Sequence, residues 1–92
     1  MNVRAHVFFT GRVQGVFFRA NTERKAVELG VYGWVKNLPE RVVEAVFEGE
    51  RSKVEYLIEW CTSHQPTAKV TNTQVVWEDF TGEFNSFGIK YD

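Results

Sequence analysis

Ninety-two residues, 43% of them apolar and 15% aromatic, suffice for one packed core and are too few for a second. Eleven basic against twelve acidic residues leave a net charge of −1, which excludes bulk attraction to nucleic acid or anionic lipid, so any anion site has to be local. A lone cysteine, Cys61, excludes an internal disulfide and a cysteine-built metal site, and no apolar run has the length of a membrane span or the shape of a secretory leader. The expectation is a single domain over residues 1–92, cytoplasmic, with Cys61 as a packing thiol.

In chain order, Val3 to Thr10 alternates loosely and carries Val7, Phe8 and Phe9, which predicts a strand buried on at least one face. A glycine-containing loop follows. Ala20, Thr22, Ala26, Val27 and Leu29 then recur at helical spacing, with Gly30 as the stop. Val31 to Leu38 predicts a strand, Pro39-Glu40 a turn, and Val42 to Glu48 the returning strand of a hairpin. Ser52 is the expected cap of a helix whose apolar positions are Val54, Leu57, Ile58 and Cys61. After a loop at His64-Gln65-Pro66-Thr67, Val70 to Glu78 and Phe84 to Tyr91 read as the last strands. Strand, helix, strand, strand, helix, strand, with an additional C-terminal strand, is the ferredoxin-like βαββαβ order. It predicts an α+β sandwich with a mostly antiparallel sheet and two helices on one face. Trp34, Trp60, Trp77 and the phenylalanines are the expected core, with one of Phe17 and Phe18 facing inward and the other flanking the loop.

The loop carries the chemistry. Gly11 and Gly15 permit tight bends and a close approach of the main chain to a ligand. The amides of Gly11, Arg12, Val13, Gln14, Gly15, Val16, Phe17 and Phe18 lie between a strand and a helix start, where they form a nest for phosphate oxygens. Arg19, in the first helical turn, adds a two-pronged cationic clamp. The pattern is neither of the usual nucleotide-binding glycine signatures. Taken singly, Arg19 reads as a solvated charge, Asn37 before Leu38-Pro39 as a turn residue, and the glycines as bends. His6 lies in a strand and His64 in a distant loop, so they do not suggest a catalytic pair, and Glu23 and Glu28 suit a solvated helix face.

Gly11-Arg12-Val13-Gln14-Gly15-Val16-Phe17-Phe18-Arg19 and Gly33-Trp34-Val35-Lys36-Asn37 together resemble the two signature motifs of the acylphosphatase family. The resemblance continues through Ala26 to Gly30, Leu38-Pro39, Glu48-Gly49, Cys61, Trp77-Glu78, Gly82-Glu83-Phe84 and Ile89-Lys90-Tyr91. It implies hydrolysis of the carboxyl–phosphate bond of acyl phosphates, with Arg19 binding the phosphate, Asn37 orienting the attacking water, and the substrate's own phosphate accepting the proton. It implies no metal, no cofactor and no covalent enzyme intermediate. Inorganic phosphate or sulfate is then the expected competing anion, and a monomer the expected state. Where the family usually has a glycine in the hairpin turn, this chain has Arg41; if that position keeps a positive φ, the cost is on the order of 1 kcal/mol. His64-Gln65 replaces the usual Gly-Pro, which changes the loop more than the chemistry. Lys36 and Lys90 fit the family's basic preferences, while Arg12 is either a steering charge for anionic substrate or simply solvated.

Two alternatives belong to other classes. A non-catalytic ferredoxin-like phosphate- or RNA-binding module would present sheet aromatics such as Phe8 and Phe47, although the chain lacks the basic surface and RNP-type pattern of such readers. An accessory domain binding carbamoyl phosphate within a larger maturation system would carry metal-cysteine motifs or further domains, and the sequence contains neither.

Overall fold

The computed structural model describes residues 1–91. Its elements are β1 (Asn2–Arg12), α1 (Phe18–Leu29), β2 (Tyr32–Leu38), β3 (Val42–Glu50), α2 (Arg51–Ser63), β4 (Lys69–Glu78) and β5 (Phe87–Lys90). One five-stranded sheet runs in the order β4-β1-β3-β2-β5, with only the β2–β5 pairing parallel. The architecture is the α+β ferredoxin-like sandwich that the element order predicts.

Period-two alternation decides which face each strand gives to the core. Val3, Ala5, Val7 and Phe9 of β1, with Val43, Ala45 and Phe47 of β3, point to the helix side. There they meet Phe18 and Ala26 of α1 and Val54, Leu57 and Cys61 of α2. Gly30 ends α1 in the left-handed region at φ 75°, its amide bonded back to the helix.

Several boundaries and burials differ from expectation. Helix α2 starts at Arg51 with Glu50 as its cap residue, so Ser52 is not the cap; it sits in the first turn and its hydroxyl donates to Glu50 Oε1 at 3.0 Å. The final strand shortens to Phe87–Lys90 because residues 79–86 cross the end of the sheet instead of pairing along it. The tryptophans are not core residues. Trp34 falls on the face away from the helices and is half-buried, with Lys36 and Lys90 over its ring. Trp60 packs on the edge of the core, and Trp77, on the sheet-edge strand, is 43% exposed beneath Arg51.

Gly33 is indispensable to the β2–β3 pairing. Its φ is 137°, and a Cβ there would lie 1.9 Å from the Val46 carbonyl oxygen. That oxygen belongs to backbone held in the sheet, so it has little room to yield.

The face away from the helices carries a charged network. Arg4 contacts Glu48, Glu78 and Glu83 at 3.0–3.2 Å. Both ring nitrogens of His6 meet carboxylates: Nε2 lies 2.6 Å from Glu44 and Nδ1 3.0 Å from Glu78. Burial opposes the charged imidazole, but the hydrogen bonds to Glu44 and Glu78 and their charges outweigh it and raise the His6 pKa above 6.5. Glu48 is buried. Its desolvation is outweighed by donation from Thr81 and by Arg4, which hold its carboxyl below the ordinary range.

Two outcomes follow from these placements. Gly33→Ala is expected to destabilise the fold by about 3 kcal/mol, read as a lower urea midpoint; an unchanged midpoint would contradict the packing at Val46. Protonated His6 contributes stability that is complete below pH 6.5 and is lost as pH rises through its raised folded value. Unfolding free energy is therefore expected to decline above that pH in the wild type, with a shallower decline in His6→Phe; parallel pH profiles would show that His6 carries no linkage.

Candidate active site

Between β1 and α1 the chain turns sharply at Gly15 (φ 73°) and at Phe17 (φ 63°), which occupies the cap position of α1 without a side-chain cap bond. Phe18 drives into the core beside Phe9, their ring centroids 5.2 Å apart, while Phe17 is 78% exposed at the loop's rim. The amides of Phe18, Arg19 and Ala20 head the helix without intrahelical partners, as the first turn requires, and Asn21 is the first to bond back, to the Phe17 carbonyl at 2.9 Å. Arg19 therefore leaves the same turn that presents these amides.

The loop is held from behind by side chains. Gln14 Nε2 donates to the carbonyls of Leu38 (2.6 Å) and Val42 (2.9 Å), tying the loop to the base of the β2–β3 hairpin. Gln65 is buried and its Nε2 donates to the Phe18 carbonyl at 3.3 Å and to Thr22 Oγ1 at 2.7 Å. The Thr67 hydroxyl lies 3.1 Å from the Val16 carbonyl and shares its proton with the Pro66 carbonyl at 2.6 Å. In a trans peptide the carbonyl and the next amide point in opposite directions. Anchoring the carbonyls of Val16 and Phe18 to the His64–Thr67 loop thus aims the N–H groups of Phe17 and Arg19 away from that loop.

On that side lies a cleft of about 310 Å³. Gly15, Phe17, Phe18, Arg19 and Ala20 form one wall, Asn37 of β2 another, and Ile89 with Tyr91 a third. The Arg19 guanidinium sits 5.1 Å from the Tyr91 ring centroid, which gives it a fixed resting surface. Asn37 Oδ1 is buried without a hydrogen-bond partner among the described residues.

The sequence-predicted site residues do not all converge. Val13, Gln14, Gly15, Phe17, Phe18, Arg19 and Asn37 meet at the cleft. Gly11 and Arg12 belong to the end of β1 and lie outside it. Gly11 serves the crossing onto β4, since a Cβ there would sit 2.3 Å from the Lys69 carbonyl. The Val13 amide is spent on the Gly11 carbonyl at 3.0 Å, and Val16 supplies the carbonyl held by Thr67. Lys36 and Lys90 turn onto Trp34 on the open sheet face. Gln65, Thr67, Ile89 and Tyr91 were not singled out by sequence reasoning for this site; the signals were Gln65, in the pair that stands where the family usually has Gly-Pro, and Ile89-Lys90-Tyr91, which carry part of the family resemblance without a role attached.

Other candidates fall away. Phe47 is fully buried on the helix side, so it cannot serve as an exposed base-stacking platform. Burial in the helix interface pushes the Cys61 thiol up to about 11, which disfavours the nucleophilic thiolate. Among the described residues no three His, Cys, Asp or Glu side chains are grouped as a metal would require.

A strand-loop-helix turn with unpartnered first-turn amides, an adjoining arginine and an asparagine from the neighbouring strand thus line one cleft at the end of a ferredoxin-like sandwich. The acylphosphatase family model matches residues 5–89. An acylphosphatase of Pelotomaculum thermopropionicum is 51% identical over 88 residues, covering 96% of each chain. The crystal structure of acylphosphatase from Bacillus subtilis superposes with a TM-score of 0.91 at 30% identity, covering 97% of this chain and 99% of that one. An acylphosphatase structure from Coxiella burnetii gives 0.86 at 40% identity, covering 97% and 93%. The chain belongs to the acylphosphatase family, and its activity is the hydrolysis of acyl phosphates.

Removing the tie between loop and hairpin should register in stability. Gln14→Met leaves the Leu38 and Val42 carbonyls without their donor, and a loss of about 1–3 kcal/mol is expected in urea unfolding. A variant as stable as the wild type would mean that the two carbonyls find water at no cost.

Proposed function

We propose that hydrolysis runs through an amide cradle formed by the segment from Gly15 to Arg19, with the Arg19 guanidinium completing the phosphate site and Asn37 orienting the attacking water. The observation that carries this reading is that Asn37 lines the same cleft as Arg19 while its Oδ1 is buried and without a hydrogen-bond partner among the described residues. A buried acceptor left unpaired is costly, and a water held there satisfies it while being fixed in one orientation.

The leaving group of an acyl phosphate is already good, so the chain has to position and neutralise rather than supply a strong acid. The phosphoryl oxygens accept from the loop amides and from Arg19. Water, donating one hydrogen bond to Asn37 Oδ1, attacks phosphorus as the bond from phosphorus to the acyl oxygen breaks. The carboxylate leaves with the bonding electron pair, and the water's proton passes to a phosphate oxygen. No titrating side chain is needed for the transfer. Inorganic phosphate and sulfate fit the same cradle as competitors, and we place the chain as a cytoplasmic, single-domain monomer.

Phosphate release from benzoyl phosphate, measured with chelator present, tests these roles. Arg19→Ala and Asn37→Ala are each expected to lose at least about a hundredfold in kcat/KM while remaining folded by circular dichroism. Competitive inhibition by inorganic phosphate should weaken in Arg19→Ala and persist in Asn37→Ala. Full activity in both variants would remove the proposed roles.

A further inference from the structure

Beside the cleft lies a second depression, of about 380 Å³, lined by Gly11, Arg12, Gln14 and Arg41. Gln14 lines both hollows, so the two adjoin across one side chain. Arg12 and Arg41 make no ion pair with a carboxylate among the described residues. In the β1–β4 ladder Arg12 stands opposite Lys69, also unpaired, and like charges across a ladder repel. Exposed Glu40, next to Arg41 in the turn, is the acidic neighbour and forms no bridge to either arginine.

Arg41 is also held in a costly conformation. The Pro39–Arg41 turn places both Glu40 (φ 65°) and Arg41 (φ 63°) in the left-handed region, where side chains other than glycine are disfavoured. Gln14 secures the base of that turn through the Leu38 and Val42 carbonyls, so the backbone carrying Arg41 is fixed relative to the phosphate loop. The depression therefore presents unneutralised cations on anchored backbone, adjoining the phosphate site.

We propose that Arg12 and Arg41 form a second anion subsite, which selects acyl phosphates whose acyl group ends in its own negative charge. The inference rests on the placement of the phosphate in the neighbouring cleft. Because the distal anion is held equally in the ground and transition states, its contacts act on KM and leave kcat alone.

The test compares succinyl phosphate with butyryl phosphate, which matches its length without the terminal charge, and with a phosphonate-terminated acyl phosphate of similar length. Arg12→Gln, Arg41→Asn and the double variant are measured beside the wild type, since asparagine tolerates the left-handed turn. The wild type should show a KM about fivefold to tenfold lower for a charged acyl group than for butyryl phosphate, a gap that narrows as salt is added. In the double variant the gap should close through KM, with butyryl phosphate kinetics within about twofold of wild type. Preference for either charged acyl group, lost in the double variant, supports the subsite and identifies the anion that it takes. Equal KM values for all three substrates in the wild type, or an equal loss on all three in the variants, overturns it. Failure of the wild type to hydrolyse any of the three substrates would instead count against the cradle mechanism.

Discussion

A loop that turns its amides toward a cleft must turn its carbonyls somewhere else, and the architecture around the cleft is organised by that requirement. Here the carbonyls of Val16 and Phe18 are received by Thr67 and Gln65 from the loop after α2. Gln14 reaches in the other direction, to the hairpin carrying Asn37. These ties hold the loop's backbone in an orientation that open solvent would not enforce. The helix start then adds its unpaired amides without a side-chain cap competing for them.

The two sheet faces divide the work. The helix side is apolar and closed, with Phe9, Phe18, Phe47 and Leu57 fully buried, and it fixes the height at which α1 begins. The opposite side is held by charge, through Arg4, His6 and the carboxylates between which they sit. Glu48 accepts from the amides of Thr81 and Gly82 as well as from Arg4, so one buried carboxylate anchors the segment that leads into β5. That segment delivers Ile89 and Tyr91 to the cleft at the other end of β5's course along β2.

Most of the fold was legible because alternation and glycine stops are local signals. The alternation from Val3 to Phe9 and the stop at Gly30 each depend on a few neighbouring residues. Trp34 misled because size argues for burial whereas strand parity decides the face, one position from the buried Val35, and Trp77 misled because it shares the face of Ala5 but stands on an edge strand. Ser52 misled because a good capping residue two positions late still looks like a cap. Arg19 and Asn37, which line one cleft, stood out in the sequence only as members of a pair of motifs. Gln65 and Tyr91 were hidden because their contacts join residues far apart in sequence, which no window of neighbours reports. Gly11 and Arg12 read as loop from the glycine spacing, whereas β1 continues through Arg12 and keeps them outside the cleft.

The walls of the cleft come from segments far apart in sequence: Gly15 and Arg19 follow β1, and Ile89 and Tyr91 lie in and just after β5. During synthesis the complete site cannot assemble until the final strand has left the ribosome and paired with β2. A nascent chain still lacking β5 has the loop before α1 and its hairpin but not the ring on which Arg19 rests. Completion of this site is thus coupled to completion of the fold, and a chain truncated before Phe87 lacks one side of the cleft.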